Sequence, residues 1–190
     1  MTTLEAGPST PRQLAYLGPV GTYGYQAAIT LSERIAEPVH LVPCPSISST
    51  YASTASYIVL PLQNTLHGGV IETLDCLLSS HPGSRPHIIA DLDLPIRHCL
   101  VARKGTKMAD LKWIRSHEQA LGQSSAFLES RLPGVRLYPW ASTAGAALSL
   151  LEKGIEHGEG GAICSKSVVG LYPDQLEVLY EGTQGIDGRL

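Results

Sequence analysis

The residues in this chain best suited to chemistry are polar but mostly uncharged, and they fall in three clusters. They are Gly18-Pro19-Val20-Gly21-Thr22-Tyr23, Gln63-Asn64-Thr65-Leu66-His67-Gly68-Gly69 and Ser116-His117-Glu118-Gln119-Ala120-Leu121-Gly122-Gln123. A fourth, Ala141-Ser142-Thr143-Ala144, is similar but weaker. Each stands where an apolar run gives way to a helical pattern. Free N–H groups at a helix start favour an anion, while Gln63, Asn64 and Gln123 can orient hydroxyl or keto groups. That combination suits a small carboxylate. There is no Ser-His-Asp order and no pair of catalytic carboxylates to compete with it. Two readings stay open for the first cluster: Gly21, Thr22 and Tyr23 hold a carboxylate or phosphate, or the glycines serve only a tight strand-to-helix turn. The cluster is neither a Walker A nor a G-x-G-x-x-G pattern, which argues against a nucleotide. His67 is either an acid or base in the second cluster or a loop histidine at the surface. For Thr65, Ser116, Ser142 and Thr143, capping or turn roles stand beside ligand contact.

Alternating strands and helices must position these clusters. Gln13–Leu17 reads as a strand leading to a helix over Tyr25–Ile35, with Thr22 as N-cap. Val39–Val42 reads as a strand stopped by Pro43 and Pro45, and Ser46–Ser56 as at best a short helix. Tyr57–Leu60 is expected to be a buried strand. The next helix should bury a face of Val70, Ile71, Leu74, Leu77 and Leu78. His87–Val101 reads as a long extended crossing between two lobes. Beyond it come a strand at Trp113–Arg115, a helix over Gln119–Ser130 with a Ser116…Gln119 capping box, and a strand at Val135–Tyr138. A helix over Thr143–Lys153, a strand at Gly161–Cys164, a short helical piece at Ser165–Gly170 and a strand at Leu176–Tyr180 complete the pattern. The alternation predicts an α/β protein with mostly parallel sheets. In parallel sheets the clusters fall at the strands' carboxyl ends and can converge on a central cleft. The expected division is a tail at 1–12, one lobe from 13–90 plus 179–190, and a second lobe from 91–178.

Composition narrows the partners. The chain has 190 residues and a formal net charge of −3, with no basic block, so neither nucleic acid nor an anionic membrane is an expected partner. Seven histidines are scattered without a pair at metal-binding spacing, so no metal and no cofactor is expected. Cys44, Cys76, Cys99 and Cys164 lie far apart beside apolar runs, as small hydrophobes do. The first residues lack a signal-peptide core, and no apolar run approaches membrane-spanning length, so a cytoplasmic soluble protein is expected.

Several motifs in order resemble the prephenate dehydratase family. They are Tyr16–Tyr23, then Leu60–Thr65 with Gly69-Val70 and Thr73-Leu74-Asp75-Leu77-Leu78, then Leu94-Pro95-Ile96-Arg97-His98-Cys99-Leu100 and Ser116–Gln123, with Ser142-Thr143-Ala144 and Gly161–Ser165 following. The resemblance covers roughly Leu14–Tyr180. It implies two α/β lobes around a cleft, similar to type II periplasmic binding proteins, a small carboxylate substrate, and a homodimer or homotetramer. It assigns Gly21, Thr22 and Asn64 to substrate positioning, with Thr65, Ser116 and Gln123 opposite.

The departures from the family pattern are specific. Gln63 stands where the family has glutamate, which removes a charge and a proton carrier. The family's Asn-x-Thr-Arg-Phe motif is missing, through either a truncated C-terminus or changed chemistry; Gly188-Arg189-Leu190 resembles a remnant with glycine for threonine. Nor does the sequence hold a regulatory ACT domain. The expected activity is therefore a lyase with an altered site, decarboxylating or dehydrating prephenate or a related acid, with Asn64, Gln63 and His67 nearest the chemistry. Two alternatives remain: a dehydratase or cyclase repurposed to a specialised metabolite, and a module that binds a small acid without turning it over.

Overall fold

Strand-forming runs separated by short helices sort this chain into two units, each built on its own sheet. The computed structural model describes residues 11–65, 68–79, 86–152 and 159–184. The first unit draws on Met1–Gly18 and Ala27–Leu92, the second on Pro19–Gln26 and Asp93–Leu190. No described helix is long and apolar enough to cross a membrane.

In the first unit, β1 (Arg12–Leu17) lies between β2 (Val39–Cys44) and β3 (Tyr57–Val59), all parallel. The central position of β1 buries Leu14, Ala15 and Tyr16. Pro43 does not stop β2, because an edge strand can spare an N–H. Ser46 caps α2 (Ile47–Tyr51) through a reciprocal box with Ser49. Two expectations fail here. β3 is half-buried rather than buried. The apolar face expected for the next helix, α3 (Ile71–Ser79), points outward, leaving Ile71 and Leu78 at 67% and 73% exposure. Its buried side is centred on Thr73, whose hydroxyl donates to the Pro61 carbonyl at 2.7 Å. Cys76 and Leu77, three and four residues on, are half-buried. Before α3, where a loop was expected, β4 (Gln63–Asn64) and β5 (Gly68–Gly69) pair antiparallel.

The second unit holds a five-stranded sheet in the order β10-β6-β9-β7-β8, from β6 (His98–Arg103), β7 (Trp113–Ser116), β8 (Arg136–Pro139), β9 (Gly160–Ser165) and β10 (Leu176–Glu181). It is mixed rather than mostly parallel, since β6 runs against both β9 and β10. β10 pairs with β6, so residues 179–184 group with this unit, whereas the sequence pattern had assigned them to the first. Residues 19–26 also group here. The long extended segment expected at His87–Val101 is a strand only from His98 onward.

Both faces of β6 and β9 are covered, which is why these strands read as continuous apolar runs. One face packs Cys99, Val101, Ala162 and Cys164 against Ala144, Ala147 and Leu150 of α6 (Thr143–Ser149) and its end, with Val168 of α7 (Ser167–Leu171). The other packs Leu100, Ala102 and Ile163 against Leu121, Phe127 and Leu128. These last three lie on α4 (Glu118–Gln123) and α5 (Ser125–Arg131), two helices meeting at Ser124 where a single one was expected. The expected Ser116 capping box is absent: Ser116 ends β7, and His117 caps α4 by accepting the Gln119 N–H.

Gly160 is fixed by packing. A Cβ there would sit 2.0 Å from the Trp113 ring. The Arg115 guanidinium lies 4.5 Å over that ring, and Tyr138 meets it edge-on. With the indole held on these sides, overpacking should cost about 1–3 kcal/mol. Gly160→Ala is expected to lower the denaturation midpoint accordingly; an unchanged midpoint would show that Trp113 is free to move.

Candidate functional site

Four strands of the second sheet run the same way and β6 opposes them, so one edge of the sheet gathers their carboxyl ends and the start of β6. That edge carries His98, Ser116, Ser165 and the Glu181–Gln184 segment. Ligands of α/β proteins favour such an edge.

The Pro19–Gln26 segment is tied to it by several contacts. Gly21 is buried with φ 87°, and a Cβ there would meet Val168 Cγ2 at 2.9 Å, so glycine is required on two counts. Thr22 caps α1 (Tyr23–Ser32) as expected, its hydroxyl accepting the Tyr25 N–H at 3.2 Å and donating to the Pro19 carbonyl at 2.8 Å. Gln26 Oε1 accepts from the Ser165 and Ser167 hydroxyls, each at 3.4 Å.

The central contact joins the Tyr23 hydroxyl to His98 Nδ1 at 2.8 Å, while His98 Nε2 lies 2.8 Å from Gln123 Oε1. An amide oxygen only accepts, so Nε2 carries the proton and Nδ1 accepts from the Tyr23 O–H. The chain therefore has a direction: Tyr23 donates to His98, which donates to Gln123. Backbone bonds hold the ring's base. His98 N–H donates to Gln184 Oε1 at 2.8 Å, and its carbonyl accepts from Gly182 and Thr183. Beside it the buried Ser124 and Thr183 hydroxyls bond at 2.8 Å.

Burial lowers the His98 pKa, with the Gln123 hydrogen bond opposing in part. Burial also pushes Tyr23 far above the usual phenol range, with the nearby Cys164 and Cys99 adding to the rise. Both groups are held neutral. Burial likewise raises the Cys99 and Cys164 thiols, so neither is a ready thiolate nucleophile.

The structure separates the residues singled out from sequence. Gly21, Thr22, Tyr23, Ser116, Gln123, Ser142 and Thr143 lie in the second unit. Two of them have structural tasks: Ser116 is fully buried and donates to the Ile163 carbonyl at 2.5 Å, and Ser142 caps α6 by accepting the Gly145 N–H. Thr143 is the first, half-buried residue of α6. In the first unit, Gln63 and Asn64 form β4, with Thr65 exposed just after it. His67 lies outside the described residues, as does Gly188-Arg189-Leu190. Sequence reasoning passed over His98, Gln26, Ser165 and Thr183 as site residues. The available signal for His98 was a lone polar residue opening the apolar strand Cys99–Ala102.

A family profile described as prephenate dehydratase matches residues 14–187, nearly the whole chain. The chain belongs to the prephenate dehydratase family. Arogenate dehydratase 2 of Petunia hybrida is 33% identical over 178 residues, which are 90% of this chain and 41% of that protein. The chain thus spans less than half the length of that relative. The crystal structure of the Arthrobacter aurescens prephenate dehydratase in complex with L-Phe superposes with a TM-score of 0.74 at 28% identity, covering 90% of this chain and 55% of that one. GqqA, described as a novel type of quorum quenching acylase, superposes with a TM-score of 0.76 at 25% identity, covering 92% of this chain and 60% of that one. The α/β fold, of the type II periplasmic-binding-protein kind, is thereby that of the prephenate dehydratase family.

The direction of the His98 shift has a measurable consequence. Its pKa is lower folded than unfolded, so the unfolded chain binds the extra proton first as pH falls. The contribution of neutral His98 is complete above its ordinary value of 6.5 and is lost as pH falls below it toward the folded pKa. Chemical denaturation across this range should show stability falling with acid, and His98→Gln should flatten the fall. Tyr23→Phe should cost about 1 kcal/mol by removing the donor to Nδ1. An equal acid dependence in both proteins would assign it to other groups.

Proposed function

We propose that this chain is a prephenate dehydratase-like lyase that binds prephenate or a related small acid and decarboxylates it without the family's dehydration. The observation that carries the reading is the neutral, directed chain Tyr23–His98–Gln123 at the ligand-favouring edge of the second sheet. Dehydration needs a proton delivered to the leaving hydroxyl. Here the Tyr23 proton is committed to His98, and burial holds both groups in their neutral forms. Decarboxylation needs less: a carboxylate oriented and partly desolvated, whose C–C bonding electrons pass into the ring system as carbon dioxide leaves. A proton from water then completes the ring carbon, and the hydroxyl stays. Gln63 in place of the glutamate of the family pattern supports the same direction. In this reading Gly21 and Thr22 position the acid at that edge. Family resemblance extends the proposal to a cofactor-free homodimer or homotetramer in the cytoplasm, in aromatic amino acid biosynthesis; the altered site adds specialised metabolism as the alternative setting.

A second reading is favoured by the likeness to GqqA, described as a quorum quenching acylase. In it the same edge accommodates an acyl amide, and His98 Nδ1 is the acceptor that draws a proton from a nucleophile through Tyr23.

Incubation of the purified protein with prephenate, followed by mass spectrometry, tests the first reading. The expected product has lost carbon dioxide and kept its hydroxyl. Phenylpyruvate would overturn the altered chemistry. Unchanged prephenate, together with cleavage of an acyl amide, would move the protein to the second reading. Saturable prephenate binding without turnover would make it a binding module.

A further inference from the structure

We propose that a groove at the amino ends of β7 and β8 is a binding site for a compact polyanion of the tricarboxylate or diphosphate kind. The groove has a volume of about 570 Å³ and is lined among others by Lys112, Trp113, Arg131, Arg136, Tyr138 and Glu159. It lies at the opposite end of β7 from Ser116, away from the His98 edge.

Charge is the first argument. The whole chain carries −3, yet three cations line this groove against one carboxylate. Glu159 is engaged by Lys112 in an ion pair. Among the described residues the Arg131 and Arg136 side chains have no hydrogen-bond or ion-pair partner. Arg115 adds a fourth positive charge behind the wall, clasped between the Trp113 and Trp140 rings at 4.5 and 4.7 Å. Its Nη1 donates to Ser149, and its buried Nε has no partner. Low-dielectric walls around like charges focus a field into a concavity. Guanidinium forks suit carboxylate and phosphate oxygens better than isolated ammonium groups do.

Preorganisation is the second argument. Arg131 ends α5 and Arg136 opens β8, so one tight turn carries both. That turn is closed by the Val135 N–H donating to Leu132 at 3.1 Å, and by Gly134 at φ 82°. The Arg136 N–H donates to the Lys112 carbonyl at 3.0 Å, fixing the turn to the opposite wall. The Trp113 wall is immobilised between Arg115 and the Gly160 backbone. A site whose backbone is already set spends less of its binding energy on ordering.

The protein has two tryptophans, so Trp140→Phe leaves Trp113 as a reporter inside the groove. This variant is titrated with citrate and with pyrophosphate at constant ionic strength, following its emission. The expected result is a saturable change with one or both, and binding about tenfold weaker or worse when Arg131→Ala and Arg136→Ala are added. The tighter of the two probes identifies the anion class. Thermal melting of the otherwise wild-type protein, with and without Arg131→Ala/Arg136→Ala, reads the same site should Trp140→Phe disturb the stack. The proposal is overturned by an emission change that sodium chloride reproduces, by a response that survives loss of both arginines, or by no response to either probe in emission and melting.

Discussion

The hydrogen bond between Tyr23 and His98 joins residues 75 positions apart in the sequence. Within the second unit it fixes the first turn of α1 to the start of β6. The same segment is held to that edge by the buried Gly21 against Val168 and by Gln26 accepting from the Ser165 and Ser167 hydroxyls, with Thr22 capping α1 beside the bond. The bond can form because His98 is itself fully engaged. Both ring nitrogens, the N–H and the carbonyl each have a partner. Buried polar networks of this kind define a single arrangement when complete and are costly when one member is lost.

Neutrality follows from the same packing. Burial makes charging either His98 or the Tyr23 hydroxyl unfavourable, and the proton of each is assigned by geometry. An uncharged wall beside backbone amides suits an anion that must be held and desolvated. It suits less well a reaction that needs a strong acid at the same place.

Strands and caps were largely legible in the sequence, because they depend on local pattern. The β1 and β9 runs, the Thr22 cap and the Ser142 cap all appear where residue order places them. What escaped depends on distant partners. The outward face of α3 could not be read from periodicity, because Thr73-Cys76-Leu77 satisfies helical spacing as well as Ile71-Leu74-Leu78 does. The hydroxyl of Thr73 reaching Pro61 accompanies the first choice. Ser116 looks like a cap until Ile163, 47 residues on, takes its hydroxyl. His98 looked like one of seven scattered histidines because its side-chain partners lie 75 and 25 residues away.

The most direct test of this arrangement is the tautomer and charge of His98, read from the ring ¹⁵N shifts and two-bond couplings by NMR across the acidic range. The expected spectrum shows a neutral ring with the proton on Nε2, persisting below the ordinary histidine value of 6.5. It should shift to a different pattern in Tyr23→Phe. A ring protonated on Nδ1, or charged already at 6.5, would contradict the directed chain and the chemistry built on it.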